Sequence, residues 1–206
     1  MSNHPATSPS IDADRAKLKD LLCQYSVRLG EFTLASGAKS NVYVDARLTG
    51  FAPEAMPLIG RVMLAEISRQ GWKPAAVGGL TLGADPVAYA IARESLETGT
   101  ILKAFTIRKE AKQHGRGRSV EGIEDVAGLD VVILDDVCTS GGSTAQAVER
   151  AREAGMHVLG AACLVNREQG GPELLQEKFG ITLASIFTLA ELVQHKNAGI
   201  PPDTKV

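Results

Sequence analysis

A regular alternation of strand-like and helix-like segments, from Ala75 to the end of the chain, predicts an α/β fold with a central parallel sheet. A second observation supports it: the apolar run Val131–Leu134 leads straight into two acids and a Gly-rich loop, the usual form of a buried strand feeding a helix. A third is the composition, 44% hydrophobic and 22% charged over 206 residues, which suits one globular domain with a substantial core. The whole chain, 1–206, is therefore read as a single domain.

Residues 1–11 are rich in Ser, Pro, Thr and Asn and read as a disordered tail. From Asp12 to Ser26, Ala16, Leu18, Leu21, Leu22 and Tyr25 recur at helical spacing. Residues 31–47 read as a hairpin, with Phe32 and Leu34 before the Ser36-Gly37 turn and Val42 and Val44 after it. Pro53 opens a helix that runs to about Arg69 and closes at Gly71. Strands follow at 75–79, 101–107, 130–136, 157–165 and 183–187. Helices are predicted at 86–93, from Ser143 to Glu153, and briefly after the last strand. The segment from Arg108 to Glu121 reads as a long polar stretch, and 199–206 as a frayed end.

Formal charge is −2, from 22 basic and 24 acidic residues, which argues against a nucleic-acid binder. Three cysteines lie far apart without a C-x-x-C spacing, so neither a disulfide framework nor a zinc site is encoded. The N-terminus lacks the apolar core of a signal peptide. The longest apolar stretches fall far short of the ~20 residues of a membrane span. These features fit a reducing, cytoplasmic setting without membrane contact.

The chemistry is written in VVILDDVCTSGGST (131–144). Asp135 and Asp136 stand at the carboxyl end of a strand, where open α/β sheets bind ligands. Thr139, Ser140, Gly141, Gly142 and Ser143 then lead into a helix N-terminus, a natural phosphate cradle. Neither a P-loop nor a dinucleotide fingerprint is present. Acids before a phosphate loop suit a phosphorylated ribose, with its hydroxyls on the carboxylates and its phosphate in the loop. A second segment, Arg108 to Arg118, carries five Lys or Arg (108, 109, 112, 116 and 118) and His114 against one acid, Glu110. A mobile basic loop beside a phosphate site can close over a polyanion and stabilise leaving-group charge.

These segments resemble those of orotate phosphoribosyltransferases, within the type I phosphoribosyltransferases. The 131–144 segment is similar to their phosphoribosyl pyrophosphate motif, and R-K-E-x-K-x-H-G-x-G to their flexible catalytic loop. The hairpin, within about 25–50, is similar to their N-terminal hood, and 77–86 to the turn where they approach pyrophosphate. Some members carry a Lys where this chain has Ala35, which leaves open whether Lys39 replaces it.

The resemblance spans roughly residues 25–192 and implies the type I phosphoribosyltransferase fold, a central parallel sheet flanked by helices with a small hood. It implies transfer of phosphoribosyl from phosphoribosyl pyrophosphate to orotate, in pyrimidine nucleotide synthesis. Asp135 through Ser143, Val137 and Cys138 included, would bind phosphoribosyl pyrophosphate together with Arg108, Lys109, Lys112 and His114. Lys112 would be the main electrostatic catalyst and Asp136 a catalytic acid holding the ribose. Thr139 and Arg167 would address orotate. Mg²⁺ would be held mainly by substrate, without direct protein ligands. In that family the basic loop of one subunit covers its dimer partner's site, which implies a homodimer with shared sites. Two other possibilities stand beside this one: a phosphoribosyltransferase for a purine or uracil, and a non-catalytic nucleotide sensor that binds RNA.

Overall fold

The structure, a computed structural model, describes residues 10–33, 37, 39–109 and 119–199. Helix α1 (Ile11–Leu21) begins at Ser10, whose Oγ accepts from the Ala13 N–H at 3.2 Å, and it runs into one π turn, Leu22–Ser26. Strands β1 (Val27–Thr33) and β2 (Lys39–Val44) pair antiparallel as a separate two-stranded sheet. This hairpin begins four residues earlier than its alternation pattern predicted. A short helix α2 (Arg47–Gly50) follows, then α3 (Met56–Arg69). Pro53 lies in the turn between them. Pro57 occupies the first turn of α3, the place the missing N–H of proline tolerates.

The main sheet is built from β3 (Ala76–Leu80), β4 (Lys103–Ile107), β5 (Val120–Glu121), β6 (Asp130–Cys138), β7 (His157–Asn166) and β8 (Leu183–Thr188). Helices α4 (Ala84–Thr98), α5 (Gly142–Glu153), α6 (Gly171–Phe179) and α7 (Leu189–Asn197) connect or follow them. The spatial order is β5-β4-β3-β6-β7-β8. Strands β4, β3, β6, β7 and β8 are parallel. The sheet is not wholly parallel, however: β5 pairs antiparallel with β4, Ile107 opposite Val120 and Thr106 opposite Glu121. Strand β5 thus lies at the sheet edge, where Val120 is buried.

The chain leaves β3 toward β4 on one side and later enters β6 on the other. This reversal makes the gap between β3 and β6 the switch point, and its carboxyl end is where such sheets bind ligands. Register keeps the strand ends level: Leu80 pairs with Ile107, Gly79 with Leu134, and Cys138 with Asn166. The continuous VVIL run in β6 is explained by burial on both faces. Val132 and Leu134 join Leu18, Ile59, Met63, Val87 and Ile91 on one side. Val131 and Ile133 join Phe105, Val148, Val158 and Leu175 on the other. No helix among the described residues is long and apolar enough to cross a membrane.

Candidate active site

Asp135 and Asp136 close β6, and their carboxylates are held by local hydrogen bonds. The Asp136 N–H donates to Asp135 Oδ1 at 3.0 Å and the Val137 N–H to Asp136 Oδ1 at 2.9 Å. Thr144, in the first turn of α5, donates its hydroxyl to Asp135 Oδ2 at 2.8 Å. Burial, followed by the adjacent charge of Asp136, pushes the Asp135 carboxyl up from 3.8 to about 7. Ionising it therefore works against folding. Its contribution to stability is fully present below pH 3.8 and is lost as pH rises through about 7.

The loop from Thr139 to Gly142 passes from this pair to the N-terminus of α5, which has no side-chain cap. The first amides of a helix lack intrahelical acceptors, so they stay available to an anion. Gly141 takes φ +81°, and a Cβ there would meet Gly171 Cα at 3.0 Å. Gly171 in turn sits so close that its own Cβ would fall 2.4 Å from Cys138 Sγ. At Gly142 a Cβ would meet nothing nearer than Ser140 Oγ at 4.0 Å, so the space before this backbone is open. Ser140 and Ser143 are exposed, Thr139 and Val137 half-buried. The Cys138 thiol is buried against α6 and raised by that burial, which suits packing rather than nucleophilic chemistry.

Across β7, Arg167 follows Asn166 and its backbone N–H donates to the Cys138 carbonyl at 2.8 Å. Its side-chain Nε is buried and, among the described residues, has no hydrogen-bond partner. On the other flank, the Thr81–Gly83 turn after β3 contains a cis Thr81–Leu82 peptide. Gly83 packs so tightly on Asp136 that a Cβ would lie 2.3 Å from its Oδ1.

The basic segment is only partly in view. Arg108 Nε donates to Glu121 at 2.9 Å, an exposed pair that exchanges readily. The Arg150 guanidinium, from α5, donates to the carbonyls of Arg108 and Lys109 and so ties the stem of this segment to the phosphate-loop helix. Lys112 and His114, with the rest of 110–118, lie outside the described residues, as does Ala35. Lys39 is exposed on β2.

Several contributors escaped the sequence reading. Arg47 of the hood grips Asp45 with two hydrogen bonds of 2.8 Å. That contact first, and the more distant Asp136 charge last among the acids of the site, hold its guanidinium above the ordinary value. Asp136 is therefore within electrostatic reach of the hood. Thr144 and Asp85 also belong to this edge. The hydroxyl of Thr144 was visible in the T-S-G-G-S-T run, whereas the reach of Arg47 to Asp136 and the contact of Asp85 with Thr106 join segments apart in sequence.

The arrangement therefore offers carboxylates for sugar hydroxyls, amides for a phosphate and a guanidinium for a further anion, all along one edge. The family model described as Phosphoribosyl transferase domain matches residues 53–189, a span that includes every one of these groups except the hood. An orotate phosphoribosyltransferase of Aquifex aeolicus is 44% identical over 183 residues, 87% of this chain and 98% of that protein. One from Nostoc is 40% identical, over 92% of this chain and 90% of its own. A Mycobacterium tuberculosis orotate phosphoribosyltransferase, solved with 5-phospho-α-D-ribosyl 1-diphosphate, superposes with TM-score 0.74 at 36% identity, covering 87% of this chain and 99% of that one. An adenine phosphoribosyltransferase from Rhodothermus marinus, at 18% identity and TM-score 0.56, shares the fold alone. The chain belongs to the orotate phosphoribosyltransferase family of pentosyltransferases.

The environment of Asp135 is directly measurable by carbon NMR of labelled aspartate. Its carboxyl should titrate near pH 7 in the free protein. Asp136→Asn removes the adjacent charge and should lower the midpoint. Thr144→Val removes a hydrogen bond to the charged form and should raise it. A midpoint that Asp136→Asn leaves unmoved would contradict the pairing.

Proposed function

We propose that this protein transfers the 5-phosphoribosyl group of phosphoribosyl pyrophosphate to orotate, giving orotidine 5′-monophosphate and pyrophosphate. The observation that carries this reading is the buried, unpartnered Arg167 Nε, one strand away from the acid pair and the uncapped α5 N-terminus. A guanidinium fork suits the carboxylate of orotate and has no counterpart on a neutral base.

In this mechanism the Asp135 and Asp136 carboxylates accept from the ribose hydroxyls. Residues Thr139–Ser143 hold the 5′-phosphate through backbone amides and hydroxyls. Val137 and Cys138 contribute the floor beneath them. The ring nitrogen of orotate attacks the anomeric carbon, and its proton leaves with the departing pyrophosphate or to solvent water. The carbon–oxygen bond to pyrophosphate breaks with its electron pair leaving on oxygen, through an oxocarbenium-like state. Arg108, Lys109, Lys112 and His114 gather around the departing pyrophosphate, Lys112 foremost, and stabilise its charge. Thr139 and Arg167 orient orotate, and no covalent nucleophile is required.

Two neighbouring carboxylates are oxygen donors of the kind Mg²⁺ prefers, and too few to enclose it, so the ion would keep water and substrate ligands. Among the described residues no group of three or more His, Cys, Asp or Glu is arranged to hold a metal. Mg²⁺ would be held mainly by substrate, with Asp135 and Asp136 meeting it through its water, and when bound it would supply neutralisation of pyrophosphate charge. Three free, buried thiols suit a reducing, cytoplasmic setting.

The working unit in this proposal is a symmetric homodimer with shared sites, and the chain a single domain whose hood overhangs the site. Leu48 of α2, Phe51 just after it, Leu82 in the turn before α4 and Tyr89 of α4 are exposed apolar side chains of the kind a second copy would cover. In this reading a symmetric dimer would bring the basic segment of one copy to the site of the other.

Orotate consumption with phosphoribosyl pyrophosphate and Mg²⁺ tests the activity, with uracil and adenine as competitors. Arg167→Ala should raise the orotate KM by on the order of tenfold, the equivalent of one lost hydrogen bond between charged groups, with a smaller change for phosphoribosyl pyrophosphate. Equal changes in both constants, or a preference for a neutral base, would overturn the assignment.

Site sharing is tested by mixing Lys112→Ala subunits with Asp136→Asn subunits, each nearly inactive alone. A mixed dimer then holds one intact site. After full random exchange, confirmed with a tag on one variant, activity should return to roughly a quarter of wild type, treating sites as independent. Confirmed exchange without recovery would mean that each segment serves its own subunit.

A further inference from the structure

Arg150 is a cation that the mechanism above leaves unused. It lies in the last turn of α5, and it is not part of the buried face of that helix. Its Nη1 donates to the Arg108 carbonyl and its Nη2 to the Lys109 carbonyl. Successive carbonyls of a strand point to opposite sides, so one guanidinium fork meets both only where the chain has left the extended form. Strand β4 ends at Ile107, directly before them. Arg150 therefore grips the peptide at which the chain leaves the sheet.

Charge alone does not account for this contact, because it brings a third cation beside Arg108 and Lys109. The two carbonyls account for it. Arg108 is held from other directions as well: its N–H donates to the Ser119 carbonyl at 2.9 Å, and its Nε to Glu121 on β5. Those two contacts tie the peptide to the strand that returns beside it, whereas Arg150 ties it to the core. Helix α5 is seated there by buried Thr144, Ala147, Val148 and Ala151. About two turns earlier, the same helix begins at the uncapped amides of the phosphate loop.

We infer that Arg150 is a positioning residue for the leaving group: by holding the peptide after β4 on α5, it fixes where the Arg108 and Lys109 side chains start toward pyrophosphate. This rests on the proposed phosphoribosyl transfer and adds a residue that touches no substrate. Cations already in place stabilise leaving-group charge without a reorganisation cost, and small displacements of such groups carry large kinetic penalties. The consequence is the same whether the two cations serve their own site or the neighbouring one. The phosphate loop does not depend on Arg150, because it lies at the other end of a helix held by its own packing. The effect of losing Arg150 is therefore selective for pyrophosphate.

The test is initial-rate kinetics in the reverse direction, from orotidine 5′-monophosphate and pyrophosphate, on variants matched by thermal melting. Arg150→Met keeps the length of the stem and removes every donor. It should raise the pyrophosphate KM by on the order of tenfold, as for loss of one hydrogen bond from a charged group. The orotidine 5′-monophosphate KM should stay within about twofold of wild type. A merely structural role in α5 would move that second constant, because the nucleotide's phosphate sits at the start of the same helix. Arg150→Lys keeps the charge without the planar fork and should recover only part of the loss. Full recovery by lysine would mean that charge acts rather than placement, and would overturn the inference. An unchanged pyrophosphate KM, or equal changes in both constants, overturns the positioning role while leaving the activity standing. A wild-type protein without this reaction overturns the activity and the positioning role together.

Discussion

Strand β3 approaches both of its neighbours without a side chain between the backbones. A Cβ on Gly78 would lie 2.0 Å from the Phe105 carbonyl oxygen, and one on Gly79 would lie 2.0 Å from that of Leu134. Gly83 continues the same contact just beyond the strand, against Asp136. Each of the other groups of the site is placed relative to this close seam. It sets the acid pair level with the turn after β3 and aims the loop after β6 along the same edge. Larger residues would meet backbone there, and backbone has little room to give.

The seam concentrates opposed electrostatic demands. Burial first, and then repulsion from the adjacent Asp136, make Asp135 hold its proton up to about pH 7. A few residues on, the uncapped start of α5 presents amides that favour negative charge. Arg167 leaves a buried donor unmatched. A ligand with hydroxyl donors, a phosphate and a second anionic group satisfies these demands together, which is the charge pattern of phosphoribosyl pyrophosphate beside orotate. Ligand binding thus stabilises a site whose own groups are in partial conflict, by ordinary mass action on the folded state.

The parts legible in the sequence are those written locally. The apolar run of β6, its two acids and the Gly-rich loop occupy consecutive positions, so strand, site and helix start are read together. The parallel strands were readable for the same reason, each being a short apolar run bounded by turn residues. Strand β5 was not, because two residues carry no period and only pairing with β4 defines them. Helix α6 was missed between Gly170 and Gly180, nine residues whose apolar face is too short to repeat. Asp85 with Thr106, Arg47 within reach of the Asp136 charge, and Arg150 on the Arg108 carbonyl depend on tertiary approach, to which spacing along the chain is blind.

The central claim is that the β3–β6 switch point is where phosphoribosyl pyrophosphate binds. Backbone amide shifts, followed during titration with phosphoribosyl pyrophosphate and Mg²⁺, test it most directly. The largest changes should fall on Thr81–Gly83 and on Thr139–Thr144, with smaller ones at Arg167. Shifts confined to the groove between α3 and α4, around Leu64, Trp72 and Leu102, with none at Gly142 or Ser143, would contradict it.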